Sequence, residues 1–280
     1  MAFPTQQLRV PTAEVELNVR VSGEGPAVLL LHGFPDSGDL WRDVTPLLVA
    51  AGYRVLAPDL RGFGESDAPV GRRHYAIDRI VADVVALLDT LGDAQPVHVV
   101  GHDWGAAVAW RLAIAHPQRV RSSVVISVGH PHEYVHAGLE QKRKGLYTIL
   151  WQFPGLAEAW LSRNNFTGMR SFAHGHPDLD ACVRAMSRPG RLTAGLNWYR
   201  ANLARLLFEK WPACRVPTLG IWGSADPYLV EGQMLQSGRR VTAAWDYVRI
   251  DDAGHWPPLE QPQRIAALAL DWFEKQETRA

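Results

Sequence analysis

One acidic residue stands between two glycines in the pentapeptide Gly-His-Asp-Trp-Gly at residues 101–105. The apolar run Val97–Val100 before it predicts a buried strand, and the alanine-rich run Ala106–His116 after it predicts a helix that ends before Pro117. A glycine on each side of the central residue suits a tight strand-to-helix turn, in which a Cβ would crowd the chain. Because such a turn presents its central side chain at the end of a strand, Asp103 is a candidate nucleophile.

An aspartate in this position favours a particular kind of chemistry. Its carboxylate is already ionised at neutral pH, whereas a serine needs a base before it can attack. A carboxylate is a modest nucleophile that suits displacement at a strained or halogenated saturated carbon, and the product is an alkyl ester of the enzyme. A glycine-flanked aspartate in an ordinary turn has the same local sequence, so the motif needs partners elsewhere in the chain.

Two later residues fit the roles of an acid and a histidine beside such a nucleophile. The run Val216–Gly223 predicts a strand, and Asp226 follows it in a Ser-Ala-Asp-Pro turn. The run Trp245–Ile250 predicts the last strand, and His255 follows that strand. Because the carboxyl ends of parallel strands meet at the same edge of a sheet, we expect Asp103, Asp226 and His255 to lie together.

Strands and helices alternate along most of the chain, which predicts an α/β protein with a mostly parallel, twisted sheet and helices on both faces. The further predicted strands are residues 8–22 (as half-exposed edge strands), Ala27–Leu31, Tyr53–Pro58 and Val120–Val128, and the further helices are Trp41–Ala50, Ile77–Leu91 and Pro262–Lys275. Residues 131–211 contain no convincing strand and are helix-like and rich in aromatic residues. We therefore predict a core of residues 1–130 and 212–280 with an inserted helical cap, residues 131–211.

Taken together, these motifs resemble the Asp-nucleophile branch of the α/β-hydrolase superfamily, which contains epoxide hydrolases and haloalkane dehalogenases. The chain order of nucleophile, acid and histidine is the order of that superfamily. The resemblance covers nearly the whole chain, and the stretches that carry it are His32-Gly33-Phe34-Pro35, Gly62-Phe63-Gly64-Glu65-Ser66, Gly101-His102-Asp103-Trp104-Gly105, Leu196-Asn197-Trp198-Tyr199-Arg200 and Gly254-His255-Trp256-Pro257. It implies an α/β-hydrolase fold and an epoxide hydrolase that uses water to open an apolar epoxide to a vicinal diol.

The resemblance also implies a role for each catalytic residue. Asp103 would attack a carbon of the epoxide ring, while Tyr199 would hydrogen-bond the ring oxygen and stabilise the alkoxide as it forms. His255, oriented by Asp226, would activate the water that hydrolyses the ester of Asp103. The reaction requires no metal and no organic cofactor.

Aromatic residues of the same motifs are expected to complete the site. The backbone N–H groups of Phe34 and Trp104 would form the oxyanion hole, with the Phe34–Pro35 peptide bond in cis. The side chains of Trp151, Trp104 and Phe34 are predicted to line an apolar substrate pocket between the cap and the core.

The sequence departs from the family pattern at the second cap tyrosine. Epoxide hydrolases usually carry this tyrosine just before a Gln-x-Pro-Gly turn, which is Gln152–Gly155 here. Leu150 and Trp151 occupy the equivalent place, and the nearest tyrosine is Tyr147. Either Tyr147 supplies a second donor for ring opening, or it packs within the cap and the reaction has a single donor.

Two other functions remain open on the sequence. A haloalkane dehalogenase uses the same aspartate, histidine and water but needs N–H donors for a leaving halide. The indole of Trp104 could be one such donor, and Trp151 could be the other, since Phe34 has no side-chain donor. A non-catalytic ligand-binding protein with this fold is the second alternative. Such proteins typically lose a member of the triad, and none is missing here.

Composition limits the other partners of the protein. The 280 residues include 29 basic and 29 acidic side chains, so no net charge favours nucleic acid or an anionic membrane as a partner. No apolar segment has the length of a signal peptide or a membrane span, so a soluble cytoplasmic protein is expected. The spacing of His130, His132 and His136 is not that of a zinc site. The oligomeric state, monomer or dimer, is left open.

Overall fold

The computed structural model describes residues 4–278, and an eight-stranded sheet lies at its centre. The strands are β1 (Thr5–Pro11), β2 (Glu16–Ser22), β3 (Ala27–Leu31), β4 (Arg54–Pro58), β5 (Val97–His102), β6 (Val120–Ile126), β7 (Thr218–Gly223) and β8 (Trp245–Ile250). Their order across the sheet is β1-β2-β4-β3-β5-β6-β7-β8. Only β2 runs antiparallel to its neighbours, β1 and β4, and the other neighbouring pairs are parallel. The predicted fold class is confirmed.

Twelve α-helices accompany the sheet within the described residues. They are α1 (Thr45–Ala50), α2 (Ile77–Thr90), α3 (Trp104–Ala115), α4 (Pro131–His136), α5 (Gly138–Lys144), α6 (Tyr147–Leu150), α7 (Leu156–Phe172), α8 (Leu179–Ser187), α9 (Arg191–Phe208), α10 (Glu231–Ser237), α11 (Pro257–Glu260) and α12 (Pro262–Glu277). Helix α7 is interrupted by non-helical backbone at residues 163–166. Within residues 4–278, none of these helices combines the length and the apolar character that crossing a bilayer requires.

Successive side chains of the central strands are buried on opposite faces of the sheet, because side chains alternate between the two faces along a strand. On β3, Leu29 and Leu31 belong to one hydrophobic cluster, whereas Val28 and Leu30 belong to the other. The first cluster includes residues of α2 and α3, and the second includes residues of α1 and α12. Both faces of the sheet are therefore covered, which leaves the ends of the strands as the place for a site.

Two predicted elements differ from the structure. Residues 8–22 were expected to form half-exposed edge strands, but β2 pairs on both sides and its Leu17 and Val19 are fully buried. The helix expected from Trp41 begins instead at Thr45, after a short 3-10 turn. Pro46 explains the later start, because proline lacks the N–H that a preceding turn would need and is tolerated in the first turn of a helix.

Helices α4 to α9 lie between β6 and β7, and we call residues 131–211 the helical insertion. The structure describes no strand within it. Contacts with the core are made in part by Asn202 of α9, which accepts a hydrogen bond from the N–H of Ile77 and donates one to the carbonyl of Tyr75. The indole of Trp198 donates to the carbonyl of Arg61 in the core. These buried hydrogen bonds hold α9 against the loop and helix that follow β4.

Candidate active site

Asp103 occupies the turn between β5 and α3 in a conformation that is rare for a residue with a side chain. Its φ is 53° and its ψ is −119°, a strained combination typical of functional turns. A Cβ on Gly105 would lie 2.0 Å from the carbonyl oxygen of Leu31, and a Cβ on Gly101 would lie 2.4 Å from that of Gly105. Both contacts are with backbone, so only glycine fits on either side of Asp103.

A backbone donor holds one oxygen of the Asp103 carboxylate. The N–H of Phe34 donates to Asp103 Oδ1 at 2.8 Å, and the Phe34–Pro35 bond is cis as predicted. Trp104 is the first residue of α3, where backbone N–H groups have no partner within the helix. The role of its N–H as a second donor stays a prediction. The Phe34 contact leaves Oδ2 of Asp103 as the oxygen that faces the rest of the site.

His255 lies between the two carboxylates that the sequence analysis assigns to it. Its Nδ1 is 2.8 Å from Asp226 Oδ2, and its Nε2 is 3.7 Å from Asp103 Oδ2. The other oxygen of Asp226 accepts the backbone N–H groups of Tyr228 and Leu229 at 2.8 and 3.0 Å. With Asp226 fixed in this way, Nδ1–H donates to it and Nε2 is directed towards Asp103.

His102 is a member of this arrangement to which the sequence analysis gives no role. It is fully buried, and its Nε2 donates to the carbonyl oxygen of His255 at 2.6 Å. The hydroxyl of Ser127 donates to the same carbonyl at 3.2 Å. Both residues thus fix the backbone that carries His255. The only sequence signal was the position of His102 inside the nucleophile motif.

The protonation of the site follows from its buried charges. Burial opposes a charged His255, but the negative charges of Asp226 and Asp103 prevail and raise its pKa to about 10. Burial alone would raise the pKa of Asp103, yet the neighbouring His255 and the Phe34 N–H lower it below its usual value. Burial lowers the pKa of His102 to about 4, aided by the charge of His255. The resting site therefore holds an ionised Asp103 beside a protonated His255 and a neutral His102.

A cavity of about 670 Å³, part of which is open to solvent, adjoins Asp103 and His255. The core and the helical insertion both contribute to its wall, and the residues that line it are Asp103, Trp104, Ala107, Val128, Pro131, Tyr134, Tyr147, Thr148, Tyr199, Leu203, Leu206, Tyr228, Leu229 and His255. Tyr199 and Tyr147, the two candidate donors, lie in this wall. The structure therefore brings both tyrosines to the same cavity as the candidate nucleophile.

The tyrosines of the cavity are kept in their protonated form. Burial and the negative charge of Asp103 raise the pKa of Tyr199 well above its usual value, and burial with neighbouring tyrosines and acids does the same for Tyr147. Tyr134 and Tyr228, which the sequence analysis did not select, also line the cavity. Tyr228 differs from the others because its hydroxyl donates to the carbonyl of Phe172. Protonated phenols can donate a hydrogen bond to an oxygen that gains negative charge.

Two of the three predicted pocket side chains lie behind the cavity wall. Trp104 lines the cavity, but among the described residues Trp151 and Phe34 do not, and they are 0% and 3% exposed. The ring of Trp151 contacts Tyr199 edge to face with centroids 4.5 Å apart, and it contacts Tyr147 at 4.7 Å. These two rings lie behind the tyrosines and support them by ring contacts. A contact of either ring with substrate stays a prediction.

One group of described side chains has donor atoms close enough to hold a metal ion: Asp36, His176 and Cys182, whose donor atoms lie within 4.8 Å of one another. His176 Nδ1 accepts the backbone N–H of Asp178 at 2.8 Å, so the ring proton is on Nε2. Nε2–H then donates to Asp36 Oδ1 at 2.9 Å. A metal on Nε2 would place a proton on Nδ1 against the Asp178 N–H. The group is therefore best described as a hydrogen-bonded contact between core and insertion.

Comparison with known proteins agrees with the fold. The family model for the alpha/beta hydrolase fold matches residues 26–262, a range that includes Asp103, Asp226 and His255.

The chain belongs to the alpha/beta hydrolase fold family.

Within this family the chain is similar to the following proteins. An AB hydrolase superfamily protein of Bacillus subtilis is 34% identical and aligns with 95% of this chain and 97% of its own length. Epoxide hydrolase A of Mycobacterium tuberculosis is 33% identical, and the alignment covers 100% of both chains. The crystal structure of epoxide hydrolase A from Mycobacterium thermoresistibile has a TM-score of 0.82 and 31% identity, with coverage of 97% of this chain and 98% of that one. The alpha/beta hydrolase is thus epoxide hydrolase-like over its whole length.

Proposed function

We propose that this alpha/beta hydrolase converts apolar epoxides and water to vicinal diols through an alkyl ester of Asp103. The observation that carries the proposal is the single cavity in which Asp103 and His255 lie together with the phenols of Tyr199 and Tyr147. A carboxylate nucleophile opposite protonated donors suits a strained ring that must be attacked at carbon while its oxygen gains charge. Relatives that are named epoxide hydrolases support the same reaction.

In the first step, Asp103 Oδ2 attacks a ring carbon and the bond between that carbon and the ring oxygen breaks. Tyr199 and Tyr147 hydrogen-bond the ring oxygen, and one of the two phenols gives it a proton as the alkoxide forms. Asp103 Oδ1 becomes the carbonyl oxygen of the ester and keeps the Phe34 N–H at 2.8 Å. The helical insertion acts as a cap in this step, because it supplies both phenols.

In the second step, His255 removes a proton from water, and the hydroxide attacks the ester carbonyl carbon of Asp103. The oxyanion is held by the N–H groups of Phe34 and Trp104 until the bond between the Asp103 carbonyl carbon and the ester oxygen breaks. The ester oxygen leaves with the substrate, takes the proton held by His255 and completes the diol. Formation of the ester removes the charge of Asp103, one of the causes that raise the pKa of His255. His255 can therefore give up its proton only after the nucleophile has reacted. That proton returns to the phenol that protonated the alkoxide, and the neutral His255 is then a base.

The cavity favours this reaction over halide displacement. A dehalogenase needs N–H donors beside the leaving halide, and the candidate Trp151 lies behind the wall, where its Nε1 has no hydrogen-bond partner among the described residues. The phenols of Tyr147 and Tyr199 occupy the wall instead. Phenols suit a leaving oxygen that must accept a proton.

The ester intermediate provides the sharpest test. In the variant His255→Gln, Asp103 can still attack but no base activates water, so we expect incubation with styrene oxide or a terminal alkyl epoxide to add one substrate mass to the protein. The mass should be on the peptide that contains Asp103. The double variant Asp103→Ala/His255→Gln is the matched control and should gain no mass.

A second measurement follows the oxygen atoms. When wild-type protein turns over a substoichiometric amount of epoxide in water labelled with the heavy oxygen isotope, the label should enter the Asp103 carboxylate and not the first diol formed. Label found only in the diol would mean that water attacks the epoxide directly and would refute the ester. No diol from any epoxide, together with halide released from bromoalkanes, would replace the proposal with haloalkane dehalogenation.

A further inference from the structure

An exposed apolar surface lies on the outer side of the helical insertion. We call it the apolar patch, and it consists of Leu146, Ile149, Leu150, Phe153 and Leu156. Their exposed fractions are 58%, 54%, 37%, 52% and 64%. Single exposed leucines are ordinary on protein surfaces, but five large apolar side chains within eleven residues are a mark of an interaction site.

Local backbone structure explains why these side chains point outwards together. Successive short turns connect the segment: the N–H of Ile149 donates to the carbonyl of Leu146, and the N–H of Phe153 donates to that of Leu150. Residues on the opposite side of the same turns face the protein, since Thr148 lines the cavity and Trp151 is fully buried. The segment is therefore apolar on both sides, and only the inner side has a partner within residues 4–278.

Basic residues lie directly before the apolar patch. Residues 145–157 contain no charged side chain, whereas the sequence just before them includes Glu140, Lys142, Arg143 and Lys144, three basic residues against one acid. Lys142 and Arg143 are exposed, and neither forms an ion pair with a described residue. Lys144 differs because its Nζ donates to the carbonyl oxygens of Asp226 and Leu229.

We propose that the apolar patch docks on an anionic lipid surface, with Lys142 and Arg143 at the level of the lipid headgroups. Apolar side chains with adjacent basic residues are what a peripheral protein presents to such a surface. A second copy of the chain would also cover the apolar side chains, but it does not account for the exposed basic residues beside them. The zero net charge of the whole chain conceals this local excess.

Docking in this orientation would place the lipid close to the cavity. Thr148, which lies between patch residues Leu146 and Ile149, lines the cavity. On α9, Leu206 also lines it, and the next residues, Leu207 and Phe208, are 47% and 84% exposed. An apolar substrate dissolved in the lipid would then reach the cavity along apolar side chains. The docking itself does not depend on the proposed reaction.

Flotation with lipid vesicles tests the proposal directly. We expect the full chain to float with vesicles of equal parts phosphatidylglycerol and phosphatidylcholine, and to bind phosphatidylcholine vesicles at least about tenfold more weakly. Leu146→Ser/Ile149→Ser/Phe153→Ser should weaken binding to the anionic vesicles by at least about tenfold, because the strength of binding scales with the apolar area that the protein buries in the lipid. The matched control Val70→Ser/Leu235→Ser changes exposed apolar side chains elsewhere and should bind like the wild type.

The basic residues have their own test. Lys142→Gln/Arg143→Gln should weaken binding to the anionic vesicles by about thirtyfold and make it insensitive to salt, while Arg72→Gln/Arg73→Gln should have little effect. Hydrolysis of a small water-soluble epoxide should be unchanged in every variant, which also verifies folding. Vesicle binding that is absent, or equal in all variants, would overturn the proposal. A different result would also overturn it: no vesicle binding, together with light scattering that shows a dimer in the wild type and a monomer only in the variant of the apolar patch.

Discussion

The strand ends of the core and the helical insertion position their chemical groups in different ways. Around the strand ends, backbone N–H groups hold Asp103 and Asp226, and the backbone of His255 is held by His102 and Ser127. In the insertion, the phenols are held mainly by ring packing: Trp151 contacts both Tyr147 and Tyr199, and Tyr199 also contacts Trp104 at 5.0 Å.

This difference has a physical consequence for the two halves of the proposed reaction. Hydrogen bonds from the backbone fix both distance and direction, so a group at a strand end has one productive geometry. Ring packing fixes position less strictly, since edge-to-face contacts are weak individually and broad in angle. We therefore expect substitutions at the strand ends to abolish a step, and substitutions in the insertion to slow a step or change its substrates.

The largest effect is expected from a substitution of Asp226 that disrupts the arrangement at the strand ends. Asp226→Asn removes the negative charge that orients His255 and favours its protonated form. The substitution should lower diol formation by about 10³- to 10⁴-fold, as loss of the orienting acid does in comparable triads. Attack by Asp103 should continue, so the ester should accumulate in mass spectra. Asp271→Asn, on the surface of α12, is the control and should keep wild-type turnover. Loss of diol without accumulated ester would assign Asp226 to the first step instead.

A smaller effect is expected from the phenols. Tyr199→Phe and Tyr147→Phe should each slow ester formation in a single turnover by about 10²-fold, the usual loss for one donor to a developing oxyanion. Breakdown of an ester that has already formed should be unaffected. Tyr228→Phe is the matched control, since its ring lines the same cavity but its hydroxyl is bound to the Phe172 carbonyl. An unchanged rate in Tyr147→Phe would leave ring opening with a single donor.

The stability of the insertion itself depends on a charged contact. Arg200 donates to both carboxylate oxygens of Glu158 at 2.7 and 2.9 Å and to the carbonyl of Trp151 at 2.8 Å, which ties α9 to α7. Arg200→Met leaves Glu158 half buried without its partner and should cost about 2 to 4 kcal/mol in urea denaturation. Glu158→Gln/Arg200→Met should recover much of the loss. An equally unstable double variant would mean that the Trp151 contact dominates.

The smallest effect is a dependence of stability on pH. Because the pKa of His255 is raised to about 10 in the folded protein, its stabilising contribution is fully present below its unfolded pKa near 6.5 and is lost as the pH rises through 10. The free energy of unfolding of the wild type should therefore fall towards that of His255→Gln as the pH rises over this range. A constant difference between the two proteins would show that His255 does not carry the charge.

Much of the strand-end region could be predicted because its signals are local. A Cβ on either glycine beside Asp103 would lie only 2.0 or 2.4 Å from a backbone oxygen, so the turn requires glycine at both positions. The two glycines in the sequence therefore indicate the turn directly. Asp226 and His255 each follow a predicted strand, and the parallel sheet brings those strand ends to one edge. The helical insertion offered no such signals. Tyr134 lines the cavity and Trp151 does not, although both are aromatic residues of the helical insertion.

The sequence by itself determined the α/β fold, the glycine-flanked turn at Asp103 and the positions of Asp226 and His255 after later strands, because each depends on short-range rules of turns and strands. The tertiary structure alone decided which aromatic side chains line the cavity, that Tyr147 lies beside Tyr199, and that His102 supports His255. It also decided which side of residues 146–156 is exposed. These features depend on how helices distant in sequence pack together, and packing at that range leaves no fixed spacing in the chain.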